Sequence, residues 1–498
     1  AIKGADGMVV QNYGNITSNS VLPAEDSDYS AIRISGKDVD GGMTATIYNY
    51  DGATISGAYH GIKASGTEDV LNVTNYEGGT IEGRNGAGVN STGTGTVTNH
   101  GLITGTYDPS ATFGDGDAVD FDGGASVYNY GEIKGLGSKG IKPGESEPSL
   151  SEGIAIGGGT IVNGDADHTD ALISGANNGI LADNSDHGDA FGALSVTNYG
   201  TIQGLDGFGI QMVNDAGTFS NTIINYGLIS GTSFAVSMGN GDDLFVYEAG
   251  SSVSGTVYAE GGTDTFKLGE VDGTFDASLL GPSATYQDFE TLTLMSGSTW
   301  TLTGTSDFAG ATQVTDATLI LSGASLALSG FSVTDGTLAG TGTIGSLAAG
   351  SGAIISPGTA ASPVGTLTVN GNASFASGSI YVVSVTAAGE SDLIAASGSA
   401  TIDTGASVQV EGSSGTYSWE TRTTILSADG GVTGTFGSVT SDYLFLTPSL
   451  SYTDTTVDLT LQRNDVSFAS YGATANARAA ANAVLGKLVW QASPNHRL

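Results

Sequence analysis

One phrase keeps returning in the first half of this chain and constrains its fold more than any other feature: Asn-Tyr-Gly-x-Ile-x-Gly. It is spelled in full from Asn129 (NYGEIKG), Asn198 (NYGTIQG) and Asn225 (NYGLISG). Looser copies start at Asn12, Asn49, Asn75 and Asn99, and at Asn163 an insertion precedes the tail HTDALISG. The starts lie roughly 24 to 37 residues apart, a period within the range of solenoids and propellers.

Before each phrase stands a β-rich run such as TVTN at Thr96, SVYN at Ser126, SVTN at Ser195 or TIIN at Thr222. These runs alternate polar with β-branched residues, the period of a strand with one buried face. A few residues after the phrase comes a second apolar mark: GIKA at Gly61, GVN at Gly88, GIK at Gly140, GIL at Gly179, GIQ at Gly209. Each unit therefore supplies three short strands separated by glycine corners. Strands so short cannot bury an apolar face alone, so the units must stack, about 4.8 Å apart, into parallel sheets. Asn then sits above Asn, where side-chain amides can form a ladder, and Tyr stacks on Tyr. Asn-Gly turns recur in any β protein, but that need does not keep Ile-x-Gly in register.

Composition supports a repetitive β architecture. Of 498 residues 79 are Gly, none is Cys, 13% are charged and 39% are apolar. The chain is too apolar and β-branched for a disordered polymer, and it has no continuous apolar run near the length of a membrane span. The start, AIKGADGMVV, lacks the charged-then-apolar layout of a signal peptide, as expected of a mature or trimmed N-terminus. Absence of cysteine fits a protein that crosses an oxidising compartment unfolded. A formal net charge of −37, from 51 acidic and 14 basic side chains, disfavours nucleic acid and anionic lipid as partners. It also resists edge-to-edge aggregation of a long β surface.

Residues 1–240 form the repeat region. Acidic, glycine-rich stretches interrupt it at 114–124, 163–170 and 183–190, and such insertions are expected to leave the stack as loops on one face, often the binding face. The candidate binding residues are Asp115, Asp117, Asp120 and Asp122, then Asp165 and Asp167, then Asp183, Asp186 and Asp189. Residues 241–354 read as a regular continuation of the solenoid. Within it GDDLFVYEAG and GGTDTFKLG resemble calcium-binding nonapeptide β-rolls, which makes Asp242, Asp243 and Asp264 candidate calcium ligands. Ordinary Asx turns would use the same residues.

Residues 355–464 carry a more specific resemblance. ISPGTAASPVGTLTV, then GSIYV, Ser391-Asp392-Leu393 and GTFGSV followed by alternating strands through Asn464 resemble, in order, the C-terminal passenger segment of type V autotransporters. The resemblance implies a cap over 355–465 that acts as an autochaperone, with Trp419, Tyr443 and Phe445 as its expected aromatic core. Residues 466–498 contain an Ala-rich helix pattern, YGATANARAAANAVLGKLVW, with Arg478 and Lys487 as cations. It resembles the linker helix that leads into an outer-membrane barrel, and that barrel is not part of this chain.

The expected fold is all-β: a right-handed parallel β-helix (β-solenoid) of roughly 20 coils, near 100 Å long at about 4.8 Å per coil. A C-terminal β-sandwich-like cap and a short terminal helix complete it. The sequence lacks the Gly-x-Ser-x-Gly elbow, and His60, His100, His168, His187 and His496 show no metal-ligand spacing. His60 and His100 read as turn residues. Paired aspartates at 242–243 and 115–122 leave a pectinase-like enzyme as an alternative, but the phrases of polygalacturonases are absent and basic residues are few. The leading expectation is a secreted or surface-displayed adhesin or structural passenger without catalysis or obligate cofactor, calcium being the one candidate. Its expected partners are a host or surface glycan, a matrix protein, or another copy of itself in a fibre, together with the membrane barrel of its own precursor.

Overall fold

A computed structural model of the protein describes residues 2–4, 6–18, 29–35, 41–141, 150–184, 188–217, 219–359, 362–412, 415–471, 473–481 and 483. The chain is all-β, a parallel β-helix, and divides into two compact units, Ala1–Gln313 and Val314–Leu498.

In the first unit each repeat lays down three strands, and like strands pair in parallel from one rung to the next. The first row runs through Met8–Asn12, Thr44–Asn49, Val70–Asn75, Thr94–Asn99, Ala125–Asn129, Gly159–Asn163, Leu194–Asn198 and Thr222–Asn225. Its register sets Val10, Ile47, Val73, Val97, Val127, Ile161, Val196 and Ile223 in one inward column. The second row places Ile16, Ile55, Ile81, Ile103, Ile133, Ile173, Ile202 and Ile229 above one another. These are the Ile of the repeated phrase. Period-two alternation turns them into the core and sends their neighbours outward. The third row begins at Ile2–Gly4 and Ile32–Ile34 and continues through Ile62–Ala64, Val89–Ser91, Val119–Phe121, Ile154–Ile156, Ile180–Ala182 and Ile210–Met212.

Two assignments differ from the sequence reading. The stretch 114–124 is not simply a loop: Val119 and Phe121 are buried third-row residues, and only the flanks of that strand leave the stack. Conversely GIK at Gly140 is not a third strand. Ile141 is 50% exposed, and Ile154 takes the core position by pairing with Val119 and Ile180. Nor do the insertions share one face. Among the described residues, 106–118, 136–141 and 150–153 lie between the second and third strands, 164–171 between first and second, and 183–184 and 188–193 between third and first.

Past Asn225 the first row continues with Leu244–Tyr247, Thr265–Leu268 and Thr291–Leu294. The isoleucine columns give way to an aromatic core of Phe245, Phe266, Phe275, Tyr286 and Trp300, all buried. The Trp300 indole N–H donates to the Gly269 carbonyl at 3.0 Å, so its polar atom is satisfied inside that core.

The second unit repeats the parallel pattern: Ile355, Tyr381, Val408 and Val439 form one column, and Leu367, Ile394 and Leu426 another. Parallel rungs persist through Ser438–Ser441. The antiparallel part of the cap is Thr456–Arg463, flanked by Glu420–Ala428 on one side and Leu446–Tyr452 on the other. Its core is built from Ile425, Leu426, Val457, Leu459 and Leu461, with Phe375, Tyr381 and Phe436 behind them. Trp419 does not belong to that core. It is 58% exposed, because it precedes a strand whose first residues carry no solenoid rung beneath them. Tyr443 and Phe445 are half-buried, and the Tyr443 hydroxyl donates to the Val385 carbonyl at 3.1 Å.

Thr474 caps the C-terminal helix: its hydroxyl accepts the Ala477 N–H at 3.1 Å and its carbonyl the Arg478 N–H at 3.0 Å. Residues 475–481 are helical. The remainder of the expected helix, with Lys487, lies outside the described residues.

Candidate functional site

The repeated Asn is buried at every rung, and its side chain does four jobs at once. Asn99 is representative: its amide nitrogen donates to Asn129 Oδ1 at 2.8 Å, to the Gly101 carbonyl at 3.1 Å and to the Glu132 carbonyl at 3.1 Å, while its Oδ1 accepts the Gly101 N–H at 3.2 Å. From Asn12 to Asn225 seven such amide-to-amide bonds join eight side chains, each 2.7–2.9 Å long. A carboxamide brings two N–H donors, here shared among three acceptors, and two acceptor lone pairs, which take the Asn75 amide and the Gly101 N–H. No other side chain of that size has both.

Held outward by the ladder, the next residue forms a stack of rings. Tyr13 and Tyr50 lie 4.2 Å apart at 3°, Tyr50 and Tyr76 4.8 Å at 5°, and Tyr199 and Tyr226 4.3 Å at 2°. Between these groups the sequence substitutes His100, which stacks on Tyr130 at 4.8 Å. The insertion after Asn163 then brings in His168, edge-on to Tyr130 at 5.3 Å and 65°. An Asx turn shapes that insertion: Asp165 Oδ1 accepts the backbone N–H of Asp167 and of His168, each at 2.9 Å, and pairs with His168 Nδ1 at 2.7 Å. This hydrogen bond lowers the Asp165 pKa and raises that of His168.

Among the described residues the ring stack is not continuous between Tyr76 and His100. A cleft of about 460 Å³ occupies this part of the corner, walled by His100, Tyr130 and His168, rimmed by Glu77, Glu132 and Asp170, and floored by Gly78, Gly79, Gly101 and Gly131. A Cβ at Gly101 or Gly131 would meet backbone oxygen of the preceding rung at 2.2–2.3 Å, so the floor cannot carry side chains. Glu132 is also paired with Lys134 at 2.7 Å.

The acidic candidates fall elsewhere. Carboxylate oxygens of Asp115, Asp117 and Asp120 lie within 4.8 Å of one another. Asp120 accepts from the Asn90 side-chain amide, which in turn accepts from Lys63. Asp117 is buried, and its Oδ1 accepts the Glu152 N–H at 2.7 Å. Burial, then the charges of Asp115, Glu152 and Asp120, push its pKa well up. Glu152 is pushed up to about 7 by burial, and its Oε1 accepts from Asn177 at 3.1 Å. Asp122 is half-buried beside this group, and Asp183 is buried. Asp189 receives the N–H groups of Asp215 and Ala216 at 2.9 and 3.0 Å. Asp167 is exposed in the loop that carries His168. Asp186 and His187 lie outside the described residues.

Asp243 and Asp264 stack in successive rungs. Asp243 Oδ1 accepts the Asn221 N–H at 2.6 Å, and Asp264 Oδ1 accepts the Asp243 N–H at 2.8 Å. Both are buried, the second oxygen of each has no hydrogen-bond partner, and burial pushes both pKa values up to about 7. Asp242 points outward and accepts the Thr263 N–H at 2.8 Å, so the structure does not gather the calcium candidates around one point.

Sequence reasoning missed Glu152 and the cleft, although both had a signal. Glu152 stands in the slot two residues before a third-strand apolar residue, which His60, Asp117 and Asn178 also fill. His60 is buried there, and its Nδ1 accepts the Ala87 N–H at 3.0 Å. For the cleft, the signal was the loss of Tyr after the ladder Asn at two positions, Asn99 and Asn163.

These features define a parallel β-helix protein with an internal amide ladder and an external aromatic row. No family model matches the sequence. Over 153 residues, 29% of this chain, it is 35% identical to an extracellular serine protease of Serratia marcescens, and it spans 14% of the length of that curated relative. Among solved structures it is similar to the autotransporter UpaB of E. coli strain CFT073, with 15% identity and a TM-score of 0.19, over 93% of this chain and 100% of that one.

Proposed function

We propose that the chain is the passenger of a secreted or surface-displayed autotransporter and acts as a non-catalytic adhesin or structural surface protein. The observation that carries this reading is the aromatic row with its cleft, presented outward on a corner whose backbone is held rung to rung by the amide ladder. Rigidly spaced exposed rings suit recognition, because little side-chain freedom is lost on binding. The Serratia relative is an extracellular protein, which supports export.

The glycan-active alternative is disfavoured by how the acids are used. Asp117, Asp243 and Asp264 each spend one oxygen, and Asp189 both, on backbone N–H groups of the neighbouring rung. Cells displaying the full chain should attach to host cells or matrix surfaces more than undisplayed controls, with no reducing-sugar release from any glycan bound. Attachment equal to the control would refute the adhesin reading, and sugar release would replace it with an enzyme.

A further inference from the structure

We propose that the cleft between His100, Tyr130 and His168 binds the guanidinium or ammonium group of a basic side chain on a partner protein. The inference rests on the adhesin reading and gives its site a ligand class. Three observations point to a cation. The rim consists of Glu77, Glu132 and Asp170, all exposed, so their charges face whatever enters. One wall is the Tyr130 ring, a π system of the kind that attracts cations, and the His168 ring edge-on to it is held by the Asp165 carboxylate at 2.7 Å. The chain's formal charge of −37 adds a long-range field of the same sign, which repels anionic ligands such as sulfated or uronic saccharides and draws cationic ones in. Lys134 is engaged with Glu132 and does not line the cleft, and His168, which does, is paired with Asp165.

The geometry also sets a size limit. A volume of about 460 Å³ over a floor of glycines admits one side-chain head and its flanking backbone rather than a folded domain. The partner must therefore present its basic residue on an extended or protruding segment. Recognition would combine charge with ring contact, so arginine, whose planar head both stacks and hydrogen-bonds to carboxylates, should be preferred over lysine.

The test is calorimetric titration of the full chain at low ionic strength with acetyl-Gly-Arg-Gly-amide, its Gln counterpart and methyl glucoside. We expect saturable binding of the Arg peptide at one site and at least tenfold weaker binding of the other two. The double variant Glu77→Gln/Asp170→Asn, both exposed, should weaken the Arg peptide at least tenfold. Asp442→Asn/Asp454→Asn, which removes the same charge from exposed positions of the second unit, should leave it within twofold. Equal weakening by both double variants would reduce the effect to net charge and overturn the proposal. So would preferential binding of the glucoside, or no saturable binding of the Arg peptide. Attachment of displayed protein that persists without Arg-peptide binding removes this ligand class alone; binding without attachment removes the adhesin reading.

Discussion

The corners between Asn12 and Asn225 and those from Glu248 onward solve the same problem by opposite means. In the first region the side chain that closes a corner belongs to two rungs at once, since each Asn amide bonds its own turn and the next turn's carbonyl and amide. In the second, a serine closes its own turn: Ser251, Ser298 and Ser379 each donate their hydroxyl to the carbonyl three residues back, at 2.7 Å. A glycine with positive φ precedes each of these serines, at 250, 297 and 378, where a side chain would be strained. Ladder corners couple rungs through one repeated side chain, whereas the serine bonds stay within their own turn, and coupling between rungs falls to backbone pairing, the core and scattered acids such as Glu248, which accepts the Glu270 and Val271 N–H groups at 3.1 Å. The difference teaches that one β-helix can join its rungs by a continuous side-chain ladder in one stretch and by isolated side chain to backbone bonds in another.

The hardest test of this contrast is Asn129→Ala. It removes the donor to Asn163 Oδ1, the acceptor for Asn99 and the bonds to Gly131 and Leu172, all in a buried site. We expect a loss of about 4 kcal/mol, with hydrogen-exchange protection falling in the rungs on both sides. A loss under about 1 kcal/mol, near that of an ordinary hydrogen bond, would erase the distinction.

Next in size is a pH effect where the two kinds of corner meet. Asp243 and Asp264 have folded pKa values raised to about 7 from 3.8 by burial. For a raised pKa the stabilisation is complete below the unfolded value and is lost as pH rises through the folded one. The first unit should therefore melt at lower temperature at pH 8 than at pH 5, by on the order of 3 kcal/mol in stability. Asp243→Asn/Asp264→Asn should flatten that dependence; a double variant that keeps the full slope would assign it elsewhere, Asp117 and Glu152 being the other buried acids shifted upward among the described residues of the first unit.

In the second unit Asp392 bonds between segments, accepting the Gly365 N–H at 2.7 Å and the Ser384 N–H at 2.8 Å, as Asn372 does by accepting the Ser399 N–H at 2.9 Å. Asp392→Ala should cost about 2 kcal/mol, measured by thermal unfolding of the full chain. Ser379→Ala should cost about 1 kcal/mol, with exchange altered only within its own turn. A spread of that effect to neighbouring rungs would show that serine corners also couple.

Much of this was legible in the chain because it follows from local alternation and repetition. Ile at the fifth position of the phrase had to face inward once Asn was placed at the corner, and the Asn ladder and Tyr stack follow from parallel stacking at a fixed spacing. Val119–Phe121 was misread because acidic glycine-rich flanks concealed an apolar-polar-apolar triplet. Gly140-Ile141 was misread for the reverse reason, since its local pattern is right but the pairing that decides membership is made by Ile154. The cleft depends on two absences of Tyr, separated in sequence, that stacking brings near each other. Trp419 shows the remaining limit: an aromatic residue in a β-rich stretch carries no sign of whether a rung lies beneath it.

The ladder has a sense of direction. Every amide donates toward the higher-numbered rung: among the described residues Asn12 Oδ1 accepts its own Gly14 N–H at 3.2 Å, while the donor of Asn225 is capped by the Gly227 and Ser252 carbonyls, each at 3.2 Å. A rung laid down on the N-terminal side of a finished stack brings its donor to a waiting acceptor. Removing rungs from the other side takes away a donor's partners in the next rung and leaves it the carbonyl of its own turn. The row thus has unlike ends, so that a rung arriving on one side meets an amide oxygen and a rung arriving on the other meets an amide N–H.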